Sequence, residues 1–155
     1  MMRAGSCSPE NLLPHDPPMV LLDEVLNGND KAVSAALTVR PEDRFFVPGR
    51  GIPAHLGLEW MAQACGLYAG LQAYAAGRPA ALGFLLGTRR YRATRAWFTE
   101  GERLQIGATL VFREGGMAVF DCVIRAEDGE ELAVAQLTTY QPEDPAAVLS
   151  NQAMG

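Results

Sequence analysis

Histidine is scarce in this chain. There are two in 155 residues, His15 and His55, so any imidazole chemistry has few places to reside. Cysteine is nearly as rare. Cys7, Cys65 and Cys122 are odd in number and far apart, which excludes a disulfide framework and leaves no pair at zinc-ligand spacing. A reduced, cytoplasmic setting is expected. Neither Gly-x-Gly-x-x-Gly nor a P-loop occurs, and no cofactor or metal is expected. Basic excess is missing too: 13 Lys and Arg face 18 Asp and Glu, a formal charge of −5, which argues against general nucleic-acid binding. The N-terminal MMRAGSCSPENLLPHDPP lacks the apolar core of a secretory signal. Residues 55–77 are long enough to span a membrane, but Glu59, Gln63, Gln72 and several glycines interrupt them, so no membrane partner is expected.

What is present suits one globular domain over residues 1–155. Apolar residues make up 48% and charged residues 20%, ordinary values for such a domain. Residues 1–8 and those beyond Pro142 read as mobile tails, and Asn11–Leu13 as a short helical turn after Pro9. Met19–Leu26 and Lys31–Val39 read as strands around a turn at Asn27–Asp30. Residues 40–53 are rich in Pro and Gly, and such aperiodic loops are often functional. Pro53 then opens a long helix that Gly77 and Pro79 stop near Ala76. Four more strands are expected: Ala81–Ala93, Leu104–Arg113, Met117–Arg125 and Glu131–Tyr140. Glu114-Gly115-Gly116 and Glu127-Asp128-Gly129 supply the turns between the last three. This order argues α+β, and a helix apolar nearly all round asks to be covered on most sides, by a curved sheet or a second copy.

Glu59 is the one formal charge in HLGLEWMAQACGLYAGLQAYAAG. A buried, unpaired carboxylate is costly, so it is expected either to be paired with a buried arginine or to carry acid–base chemistry. Residues four apart share a helix face. That places His55 one turn below Glu59 and Gln63 one turn above, where its amide could orient the carboxyl. Alternatively His55 faces a loop or solvent. A His-x-x-x-Glu metal pair lacks a third ligand. Gly57 would let a ligand approach closely, and the N–H groups of Ala54, His55 and Leu56 would face developing negative charge on a carbonyl oxygen. Cys65 is expected to be core packing.

LLPHDPPMVLLDEVL, IPAHLGLEWMAQA and LGFLLGTRRYRATRAWFTEGERLQIGATL together resemble the beta-hydroxyacyl carrier-protein dehydratases, over about residues 12–141. Within them the chain is similar to the divergent dehydratase-like proteins of bacterial aryl polyene and related fatty-acid-type pathways. The resemblance implies the hotdog fold, a long central helix wrapped by a curved antiparallel sheet, and a dimer with tunnels at the subunit interface. It implies a catalytic pair made of a loop histidine from one subunit and a helix carboxyl from the other. Glu59 stands at the acidic position, and Ala54 at the position whose N–H polarises the thioester carbonyl. The loop reads Arg44-Phe45-Phe46-Val47-Pro48-Gly49, with phenylalanine where the imidazole belongs. His15, in the Leu-Pro-His motif, and His55 are the substitutes to consider.

The expected activity is dehydration, or the reverse hydration, of a 3-hydroxyacyl thioester carried by acyl carrier protein or coenzyme A. An acyl thioesterase and a non-catalytic hotdog partner subunit are the alternatives. A homodimer, a higher even-numbered oligomer or a heterodimer with a related dehydratase is expected. Arg89, Arg90, Arg92 and Arg95 crowd residues 89–95, and either hold an acidic carrier or a pantetheine phosphate or form a solvated strand face. Arg50, before the helix, is a second candidate contact.

Overall fold

Apolar alternation and glycine turns fold the chain into strands around one long helix. The computed structural model describes residues 2–3, 9, 20–78 and 83–141. In chain order it shows β1 (Met2–Arg3), β2 (Glu24–Gly28), β3 (Ala32–Thr38), β4 (Ile52–Pro53), a 3-10 turn (Ala54–Leu56), α1 (Gly57–Ala75), β5 (Phe84–Ala93), β6 (Trp97–Phe98), β7 (Arg103–Glu114), β8 (Met117–Ala126) and β9 (Glu131–Tyr140). Seven strands form an antiparallel sheet in the order β1-β2-β3-β7-β8-β9-β5, while β4 and β6 make a small separate pair. Gly115 and Gly116, with φ of 58° and 85°, form the tight turn that sets Glu114 opposite Met117.

Period-two patterning turns Val33, Ala35, Leu37, Leu104, Ile106, Phe120, Ile124 and Leu137 inward. There they meet Trp60, Met61, Ala64, Leu67, Tyr68 and Leu71 of α1 in one buried cluster. This is the hotdog arrangement: one long helix packed against a curved antiparallel sheet.

The structure differs from the sequence reading at several element ends. Met2 and Arg3 pair with Gly28 and Asn27 instead of belonging to a free tail. Strand β2 runs through Gly28, so the turn begins at Asn29, whose Oδ1 accepts the N–H groups of Lys31 and Ala32 at 2.8 and 2.9 Å. Pro53 ends a strand and caps the 3-10 turn rather than opening α1. The expected helical turn at Asn11–Leu13, the tail beyond Pro142 and His15 lie outside the described residues.

Candidate functional site

The helix start is where a single chain leaves two ionisable side chains, His55 and Glu59, exposed. Trp60, 1% exposed, turns inward and its ring lies 5.1 Å from that of Phe98, tilted by 44°. Its neighbour Glu59 points the other way and is exposed, so in a single chain the carboxyl is not the buried group its apolar surroundings suggested. No ion pair holds it among the described residues, which removes the arginine-clamped alternative there. His55, in the 3-10 turn, is exposed as well.

Other groups expected around Glu59 have different work. The Ala54 N–H donates to the Ala96 carbonyl at 2.8 Å, extending the β4–β6 pairing, so it is not free for a substrate oxygen. Gln63 is 2% exposed, and its Oε1 accepts the Leu21 N–H at 2.8 Å. It ties the segment before β2 to the helix instead of orienting Glu59. Gly57 is small because of its own chain: a β-carbon there would lie 2.5 Å from the Tyr91 hydroxyl and 2.7 Å from Ile124 Cδ1. That hydroxyl donates to the Ala54 carbonyl. Tyr91 was not foreseen from the sequence.

The loop before the helix is held by its backbone. Val47 N–H donates to Gly51 O at 2.7 Å and Gly51 N–H returns a bond to Val47 O at 2.9 Å. Gly51 has φ 112°, and a β-carbon there would strike the Phe98 carbonyl. Phe46 packs against the core while Phe45 is exposed. The Arg44 guanidinium lies 5.7 Å from the Phe45 ring centre, and that of Arg50 5.5 Å from the Trp97 ring centre. Arg50 is thus stacked on its own chain.

The arginine run divides. Arg95 grips Glu102 with two hydrogen bonds of 2.9 and 2.5 Å, and the Thr99 N–H and hydroxyl add bonds of 2.6 and 2.7 Å to the same carboxylate. Burial pushes the Glu102 carboxyl upward, but the Arg95 and Thr99 bonds outweigh it and hold it below its usual range. Arg89, Arg90 and Arg92 are exposed and have no acid partner among the described residues. They line a cleft of about 490 Å³ with Arg125, Asp121 and Glu131. Arg125 lies 3.8 Å from Glu131.

Cys65 and Cys122 are buried free thiols with their sulfurs 3.7 Å apart, which places Cys65 in the core. Among the described residues no cluster of His, Cys, Asp or Glu is arranged to hold a metal, and no helix is long and apolar enough to cross a membrane.

Comparison with known proteins places this geometry. A family described as ApeP dehydratase, ApeP-like, matches residues 7–150. A solved chain of the dehydratase heterocomplex ApeI:P from Xenorhabdus doucetiae is 31% identical with a TM-score of 0.86, covering 93% of this chain and 96% of that one. A hypothetical thioesterase with coenzyme A from Streptococcus pneumoniae is 17% identical, with a TM-score of 0.60 over 76% of this chain and 84% of that one. The PaaI protein of E. coli is 13% identical, with a TM-score of 0.59 over 75% and 80%. The last two share the fold alone. No curated protein sequence matches the chain.

Proposed function

The chain belongs to the ApeP-like dehydratase family, and from that premise we propose that it dehydrates a 3-hydroxyacyl thioester in polyene-type biosynthesis as one subunit of a hotdog pair. The observation that carries this is Glu59: a carboxyl at the start of the central helix, exposed and without an ion-pair partner among the described residues of its own chain. In the reaction a base takes the proton alpha to the thioester carbonyl. The C2–C3 double bond forms as the 3-hydroxyl leaves, and Glu59 gives that oxygen the proton that makes it water.

A single chain supports only part of this. Phenylalanine at position 45 or 46 cannot take a proton, and an acid that donates inside a thioester channel needs cover from water that exposed Glu59 lacks. A second subunit would supply both. Strand β5 is the edge of the sheet, its Leu85 and Leu86 are 46% and 58% exposed, and open edges invite strand pairing. The solved relative is a dehydratase heterocomplex, which favours a related hotdog subunit over a second copy as the partner. His15 and His55 remain the imidazoles this chain could contribute. With the Ala54 amide engaged and the Leu56 amide closing the 3-10 turn that Pro53 caps, the His55 amide is the helix-start donor proposed for the thioester oxygen. Arg89, Arg90 and Arg92 are the proposed contact for an acidic carrier protein or a pantetheine phosphate.

The test is to incubate a 3-hydroxyacyl thioester with the chain alone, with its related subunit alone and with both. Enoyl thioester formed by the mixture and by neither subunit alone is expected. Free thiol without enoyl product, or full dehydration by this chain alone, would overturn the reading.

A further inference from the structure

Strand β5 carries an irregularity that its alternation alone does not call for. Arg89 pairs with Gln136 and Arg92 with Val134, so three steps along β5 match two along β9, and one residue is extra. Arg90 absorbs it with φ 58°, the one positive value at a non-glycine residue among those described. Bulges of this kind re-aim side chains, and a non-glycine residue held in that region is strained. Here the extra residue leaves Arg89, Arg90 and Arg92 together on the cleft side, while Tyr91 between them turns to the helix. Its hydroxyl reaches the Ala54 carbonyl and fills the space that a side chain on Gly57 would need.

We propose that Tyr91 is a positioning residue: the bulge delivers its hydroxyl to the Ala54 carbonyl, where it fixes the turn carrying His55 and Glu59. This rests on the dehydratase reading above. The peptide between Ala54 and His55 is clamped at its oxygen, which also accepts the Gly57 N–H. Because the peptide is trans, its N–H, that of His55, points the opposite way. Two hydrogen bonds at the oxygen polarise the unit and strengthen that N–H as a donor. Burial raises the Tyr91 hydroxyl to about 12, so it keeps its proton and remains a donor at any working pH. A packing role alone would be served by phenylalanine.

Two experiments test this on the full chain with its partner subunit. In the first, Tyr91→Phe keeps the ring and removes the hydroxyl. The expected result is kcat lower by about tenfold, the scale of one lost positioning hydrogen bond, with KM changed by less than about twofold and a melting temperature lower by only a few degrees, too small a shift to account for the lost activity. Unchanged kcat, or kcat falling only in step with melting temperature, would overturn the proposal. The second is a stability cycle. Gly57→Ala should lower the melting temperature in the natural chain and lower it less in the Tyr91→Phe background, where the hydroxyl is gone; equal losses would refute the placement. If the natural pair forms no enoyl product, the dehydratase reading fails and the positioning role of Tyr91 in that reaction with it, while the cycle still reads the placement separately.

Discussion

The first turn of α1 and the middle of the same helix treat polar side chains in opposite ways. In the middle, Gln63, Tyr68 and Gln72 are each tied to a segment that leads into β2 or joins it to β3. Gln63 accepts from Leu21, the Tyr68 hydroxyl donates to Asp30 O at 2.6 Å, and Gln72 donates to Asn29 O at 2.9 Å. Around them Trp60, Met61, Leu67 and Leu71 are almost fully buried. In the first turn, Glu59 and the preceding His55 are exposed and without such ties. Stability therefore resides in the middle, and the proposed chemistry falls at the end, where the Glu59 and His55 side chains are left exposed.

That contrast can be broken from either side. The largest effect on folding is expected from Trp60→Ala. Losing a buried indole typically costs about 3–5 kcal/mol, read by denaturant unfolding, and a loss under about 1 kcal/mol would mean that the middle of α1 does not hold the fold. A smaller effect is expected where the arginine run meets Glu102. Replacing Glu102 by Gln removes charged hydrogen bonds worth about 1–3 kcal/mol together. Because the folded carboxyl is held below its ordinary 4.5, its stabilisation is complete above that pH and is lost as pH falls through the lower folded value. Acid unfolding of the natural chain should therefore steepen below pH 4.5, and the Gln variant should lack that component. The smallest effect is expected at the exposed arginines. Arg89→Ala with Arg92→Ala should weaken use of a carrier-bound substrate about two- to fivefold, the scale of exposed charge pairs, and the difference should fade in high salt. A salt-independent loss would show that these side chains do not act as charges.

The chain spelled out its strands where a pattern had room to repeat. β7, β8 and β9 run ten or more residues, with stretches of six or more in inward-outward alternation, and are joined by glycine turns, so they stood in the sequence nearly as they fold. β4 and β6 have two residues each, too few for any period, and with them the engagement of the Ala54 amide was hidden. Four-residue spacing put Gln63 beside Glu59 on a helical wheel, but spacing does not say where a covering segment stops: Leu21 covers Gln63 and leaves Glu59 open. Apolar neighbours likewise made Glu59 look buried, although they belong to the side of the helix that faces the sheet. The one trace of Tyr91 was an extra residue between Thr88 and Ala93, visible only once the register with β9 is known. Arg95 could not be separated from Arg89, Arg90 and Arg92 by sequence, since its partner Glu102 lies across the turn after β6.

The most direct test is Glu59→Gln in the chain paired with its related subunit, assayed for enoyl thioester beside a melting curve. Removal of a placed acid predicts a loss of about 10²- to 10⁴-fold in turnover by the pair with the melting temperature of the chain by itself unchanged, because the side chain is exposed and unpaired in its own subunit. Undiminished enoyl formation by the variant pair would contradict the assignment of Glu59 as the proton donor.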